Sequence, residues 1–272
     1  MLTLLSILMF GFFLGMRHAI DPDHVVAVAT LVTKSRTVWS AARLGILWAL
    51  GHTVTIVIVG GAIILFGIVV PPRAGLSVEF AVAVMLIILG VTNLKSVVTD
   101  LQATVNAIAV SPTRGIHWHT HTHTHRGHRH SHPHEHGPGG HSHDHTIPEL
   151  RLPDRWLGDL TRYQRVRPLI VGVVHGLAGS AALALLVLTT IPSPVWAVGY
   201  LLVFGLGTIV GMMVITAAIG APLAYTAQRF ARVHRYLGVA SGVLSLLFGL
   251  FLAYEIGMVS GLFTGEPNWV PR

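Results

Sequence analysis

Six stretches of the chain run apolar for long enough to cross a bilayer: Leu2–Val32, Leu44–Val70, Val78–Val98, Pro168–Ile191, Val195–Ile219 and Leu237–Phe263. At about 1.5 Å of rise per residue, roughly 20 apolar residues cover the hydrocarbon core of about 30 Å. Most of the runs exceed that, which sets them apart from the buried helices of a soluble globule. The expected fold is all-α integral membrane, with six transmembrane helices. Domain boundaries follow from the apolar pattern: three spans in residues 1–98, a polar linker over 99–166, and three spans in 167–272.

Composition agrees. Hydrophobic residues make up 52% of the 272 positions and charged residues only 11%, too few to cover a soluble globule with polar side chains. The chain has no cysteine, which excludes disulfides, thiolate metal sites and dithiol electron transfer. Its net charge of +7 does not read as nucleic-acid binding, because the basic residues sit in short stretches between apolar runs. The first sixteen residues run straight into Arg17-His18 and a further apolar stretch, so they read as a retained span rather than a cleaved signal peptide.

Lysine and arginine set the expected orientation. Lys34, Arg36 and Arg43 follow span one, many arginines lie in the central loop, and Arg229, Arg232 and Arg235 follow span five. The alternate connections carry only Arg73 and the terminal Arg272. By the positive-inside rule both termini lie outside and the central loop lies in the cytoplasm of a multi-pass cell-membrane protein.

The halves also resemble each other. Gly15-Met-Arg-His18 answers Gly172-Val-Val-His175, Leu50-Gly-His-Thr53 answers Leu206-Gly-Thr208, and Gly90 answers Gly249. Three spans per half force the second copy to enter from the opposite side, so the expectation is two inverted three-helix repeats with the site near their interface.

Span one breaks in its second half. Pro22 lacks an N–H and disfavours helix at Asp21, while Asp21-Pro22 fits an N-cap followed by a first-turn proline. One helix should therefore end near Ala19 and another begin at Pro22. Around the break lie Arg17, His18, Asp21, Asp23 and His24. Ionisable groups at that depth are costly, and the cluster reads as a functional site. Imidazole and carboxylate together suit nickel, cobalt, zinc, manganese or iron. The competing structural explanation, an Arg17–Asp21 ion pair with Asp23 as a cap, leaves both histidines unexplained.

Depth extends the cluster. His18 lies about 22 Å from the outer start of span one, His52 about 12 Å and His175 about 10 Å from the cytoplasmic starts of their spans. All three fall in the middle-to-cytoplasmic part of the core and can converge. His175 alone is equally a packing histidine. His234, between Arg232 and Arg235, reads as a surface residue. Asn93 reads as possible support for the site, and Glu255 as an outer residue meeting water.

Thirteen of the 18 histidines crowd the linker: His117, His119, His121, His123, His125, His128, His130, His132, His134, His136, His141, His143 and His145. Without apolar periodicity the tract is expected to be disordered. Its neutral imidazoles are expected to bind divalent metals, with no preference for one of them. Pro153–Arg165 places Trp156, Leu157, Leu160 and Tyr163 at helical spacing, as in a short amphipathic helix on the membrane surface.

Arg17-His-Ala-Ile-Asp-Pro-Asp-His24 resembles the H-x4-D-H signature of the nickel/cobalt transporter family, and Leu50-Gly-His-Thr-Val-Thr-Ile56 resembles its second signature. The resemblance implies metal-binding roles for His18, Asp21, Asp23, His24 and His52. The second half departs from the family pattern: Gly176-Leu-Ala-Gly-Ser-Ala-Ala-Leu183 lacks both expected acids, and Thr216 stands at an aspartate position. Six spans resemble a shorter branch found with urease accessory functions, whereas the histidine loop is similar to that of nickel/cobalt efflux proteins. The expectation is a secondary carrier of Ni²⁺ or Co²⁺, not an enzyme, with no prosthetic group and the ion as its cargo. Its partners are expected to be the ion, the bilayer and metalloenzyme maturation proteins. A membrane metal chaperone or sensor serving an enzyme such as urease, and an exporter of another solute, are the alternatives.

Overall fold

The computed structural model describes residues 2–35, 37–110, 119–125, 128–134, 166–179, 191 and 193–269. The chain divides into two units, Met1–Val97 with Asp159–Arg272, and Val98–Gly158.

The first unit is helical. Four helices are long and apolar enough to cross a membrane: α3 (Val38–Phe66), α4 (Pro72–Val110, apolar over Pro72–Thr99), α6 (Pro194–Arg229) and α7 (Ala231–Val259). Predicted span one is two helices, α1 (Leu2–His18) and α2 (Pro22–Leu31). The break falls where Pro22 demands it. Asp21 occupies the N-cap position of α2 but makes no side-chain cap. Predicted span four appears as α5 (Val166–Gly179); most of the rest of that span, and the predicted amphipathic helix at Pro153–Arg165, lie outside the described residues.

Several boundaries differ from the hydropathy pattern. Helix α3 starts at Val38 rather than Leu44, because Thr37 and Ser40 cap its first turn reciprocally. It ends at Phe66 with Gly67 left-handed at φ 61°, a conformation glycine adopts without penalty. Helix α4 runs on to Val110, well past the predicted end at Val98. Polar residues continue a helix readily once it leaves hydrocarbon, so hydropathy underestimates its length. Helices α3 and α7 each contain a π-helical turn, at Ile56–Gly60 and Glu255–Val259.

Glycines bring three helix pairs into backbone contact. Gly15 of α1 lies against the Phe204 carbonyl of α6, and Gly207 of α6 lies against the Phe12 carbonyl of α1. Gly172 and Gly176 of α5 face the carbonyls of Trp48 and His52 on α3. Gly90 of α4 meets the Gly242 carbonyl of α7, and Gly249 of α7 meets Ala83 and Ile87 of α4. Lipid supplies no hydrophobic drive between helices, so close van der Waals contact at small residues does this work. An apolar cluster of Ile56, Ile63, Ile64, Tyr200, Leu201 and Phe204 fills the α3–α6 interface.

Asn93 belongs to packing rather than to the histidine cluster. Its Nδ2 donates to the Gly238 carbonyl at 2.9 Å and to Ser241 at 3.2 Å, and its Oδ1 accepts from Thr33 at 3.2 Å. Those bonds tie the 3-10 turn after α2, Val32–Lys34, to α4 and α7.

In the second unit, part of the tract expected to be disordered forms a two-stranded antiparallel ladder, β1 (His119–His125) with β2 (His128–His134). Histidine pairs with histidine at four rungs: 119 with 134, 121 with 132, 123 with 130, and 125 with 128. Alternating threonine and histidine suits a strand by its period of two, a pattern easily missed when only apolar periodicity is sought. His117, His136, His141, His143 and His145 lie outside the described residues.

Candidate metal centre

The break between α1 and α2 turns His18 and His24 toward each other, with ring centroids 4.7 Å apart. Helix α3 brings His52 to the same place, 5.2 Å from His18 and 5.1 Å from His24. Helix α5 brings His175 to 4.8 Å from His24. The Gly172 and Gly176 contacts hold α5 against the turn of α3 that carries His52. Four histidines from the two halves thus meet, and His24, His52 and His175 are all 2% exposed or less.

Oxygen acceptors orient the rings. His18 donates from Nδ1 to Asp21 Oδ2 at 2.8 Å. His24 donates from Nδ1 to Asp23 Oδ1 at 2.9 Å, and the same oxygen accepts from the His24 backbone N–H. His175 donates from Nδ1 to the Val171 carbonyl at 3.3 Å. An oxygen on Nδ1 places the proton there and leaves the Nε2 lone pair for another partner, the arrangement that orients metal-bound histidines.

The four rings converge. His18 Nε2 lies 3.2 Å from His52 Nε2. Two imidazole nitrogens on one ion, each about 2.0–2.1 Å from it, are roughly 3.0–3.4 Å apart. His175 Nε2 lies 3.5 Å from Asp23 Oδ2. Nε2 of His24, Nε2 of His175 and Nδ1 of His52 are buried without hydrogen-bond partners. Leaving such groups unsatisfied costs about 1–3 kcal/mol each, and a cation held by the two Nε2 atoms would relieve that cost at both. Two three-residue sets have ligand atoms within 4.8 Å of one another: His18, His24 and His52, and Asp23, His24 and His175.

Each membrane residue singled out in the sequence as a ligand therefore lies at or beside one centre. Asp21 reaches it through His18, as an orienting partner. His175, equally a packing residue on sequence alone, stands inside it.

A cavity of about 540 Å³ adjoins the cluster, lined by His18, Asp21, Asp23, His24 and His175 together with Arg17, Glu79 and Glu255. Glu255 was expected simply to meet water; it is half-buried and faces this cavity. Glu79, which accepts from the Trp269 indole at 2.8 Å, was not singled out. The available signal was a lone acid in the first turns of an apolar span. Trp48, on α3, stacks on His24 at 5.4 Å and 30°.

The chain is 34% identical over 260 residues to urease accessory protein UreH of Bacillus sp. (strain TB-90), covering 96% of each. It belongs to the UreH family. Residues 143–250 also match the cytochrome C biogenesis protein transmembrane region family. That match covers under half of the chain, and without cysteine the chain has no thiol chemistry of its own. No solved structure matches. Membership of this family, and helices of this length and apolarity, make the chain a multi-pass membrane protein.

Proposed function

We propose that this UreH-family protein is a secondary carrier that moves Ni²⁺ or Co²⁺ across the cytoplasmic membrane. The observation that carries the proposal is the convergence of four imidazole rings, three of which have Nδ1 held by oxygen so that Nε2 is left for a ligand. Such a set binds borderline divalent ions and disfavours the hard ions Mg²⁺ and Ca²⁺. His18, Asp23, His24, His52 and His175 contact the ion, and Asp21 orients His18. The resemblance of residues 17–24 to the H-x4-D-H signature supports the same assignment.

Six spans in two inverted three-helix repeats fit this role. The glycine contacts support that arrangement, because they pair span one with five, two with four, and three with six. Exchanging the halves maps that set of pairs onto itself. Both termini lie outside and the histidine tract lies in the cytoplasm, where it buffers the ion. The driving force is the membrane potential or a proton gradient.

The test is radioactive Ni²⁺ flux into proteoliposomes, measured in both directions with Co²⁺, Zn²⁺ and Mn²⁺ as competitors. Saturable flux that His18→Ala and Asp23→Ala abolish is expected; unaltered flux in both variants would sink the proposal. A second reading, a membrane chaperone or sensor supplying nickel for urease maturation, is favoured by the name of the relative. Tight binding without flux would establish it instead.

A further inference from the structure

We propose that the cluster is two metal stations sharing His24, which the ion occupies in sequence. This inference rests on the carrier reading above. His24 is the only residue common to the two ligand sets, and its ring lies within about 5 Å of those of His18, His52 and His175.

The stations differ in chemistry and in access. All three members of the first, Asp23, His24 and His175, line the cavity, whereas of the second set His18 and His24 line it and His52 does not. It combines one carboxylate oxygen, Asp23 Oδ2, with imidazole nitrogen. A hydrated ion arriving from the cavity keeps an oxygen ligand there and exchanges its waters for imidazoles. The second station, His18, His24 and His52, is all nitrogen. His52 is fully buried and lies beyond the residues that line the cavity. Reaching it requires the ion to give up its remaining oxygen ligands, a step that ions favouring nitrogen make and Mn²⁺ or Mg²⁺ resist.

The hydrogen bonds fit such a transfer. Asp23 uses Oδ1 to hold His24 and has Oδ2 facing His175. His18 is held independently by Asp21. The ion can pass from Asp23 and His175 to His18 and His52 while His24 stays attached to Asp23. Because His24 serves both stations, they hold one ion at a time. Capture and selection are thereby separated: the first station admits divalent cations broadly, and the second passes only those that accept an all-imidazole shell.

The test uses the full-length chain with the thirteen linker histidines replaced by asparagine, so that bound Ni²⁺ and Co²⁺ report the membrane site alone. In this background, one ion per chain is expected. His52→Asn, which keeps a polar side chain in a tightly packed position, is expected to bind Ni²⁺ within about threefold of the parent while flux falls at least about tenfold. Adding His18→Asn to it is expected to change binding little further. His175→Asn is expected to weaken binding from the cavity side, and the Co²⁺ absorption spectrum is expected to differ between the His52 and His175 variants.

Equal loss of binding and flux in His52→Asn and His175→Asn, with one common spectrum, would overturn the relay and leave a single site. Two ions per chain would overturn the sharing of His24. A parent chain that neither binds nor moves Ni²⁺ would overturn the carrier reading itself, which the relay needs.

Discussion

His18 Nε2 and His52 Nε2 lie 3.2 Å apart although 34 residues separate them in the chain. One sits at the break between α1 and α2, the other near the middle of α3. Their separation matches that of two ligands on one ion and leaves no room for an intervening residue.

Removing either partner should therefore be costly. His18→Ala and His52→Ala are each expected to lower Ni²⁺ or Co²⁺ flux at least about tenfold, while total binding, kept by Asp23, His24 and His175, falls far less. Proteoliposome flux beside equilibrium dialysis, on purified protein with the linker histidines replaced, measures both.

Asp21 offers a finer test, because its Oδ2 touches His18 and not the converging nitrogen atoms. Asp21→Asn removes the charge and keeps the size. Ni²⁺ flux is expected to fall roughly tenfold or more, because losing an orienting carboxylate behind a histidine weakens its hold on metal, while total binding changes much less. The fold should survive, since Asp21 makes no cap to α2. Proteoliposome flux and calorimetric titration, alongside size-exclusion profiles, separate these effects.

Gly172 should be intolerant of side chains. A Cβ there collides with the Trp48 carbonyl and crowds the His52 backbone N–H, which lies 2.9 Å from it. Gly172→Val is expected to push α5 from α3, costing about 1–3 kcal/mol or more and parting His175 from His24. A lower thermal midpoint in detergent, together with weaker metal binding, is the expected pair of results.

Glu79 and Glu255 concern approach rather than grip. Both line the cavity beside the cluster, where acids concentrate cations. Glu79→Gln combined with Glu255→Gln is expected to raise the half-saturating Ni²⁺ concentration several-fold with little change in maximal flux. The effect should shrink in high salt.

Metal and proton compete for the same imidazole nitrogen, so metal binding by the histidine tract is expected to weaken as pH falls. Counting ions bound per chain at pH 7.5 and pH 5.5, with and without the thirteen histidines, measures it.

Much of the fold was legible in the chain because hydrocarbon tolerates so few solutions. Apolar length marked the four helices long enough to cross a membrane, and Asp21-Pro22, an N-cap position followed by a first-turn proline, located the break in the first apolar run to within a residue. Helix ends were less legible. Thr37 and Ser40 extend α3 by a cap, and α4 runs past its apolar stretch, effects that hydropathy does not encode. The ladder at His119–His134 was missed because its period of two is carried by histidine and threonine rather than by apolar residues.

For the site, the sequence by itself determined which residues are expensive enough in a bilayer to demand a purpose: His18, Asp21, Asp23, His24 and His52. Cost is a property of each residue and its depth, so it can be read one position at a time. Tertiary structure alone decided that His175 joins them, that Asp21 orients His18 while Asp23 both orients His24 and faces His175, and that Glu255 and Glu79 turn toward the same cavity. Those distinctions depend on ring rotation and on how closely Gly172 and Gly176 let α5 approach α3. They are differences of a few ångströms between residues far apart in the chain, and only packing sets them.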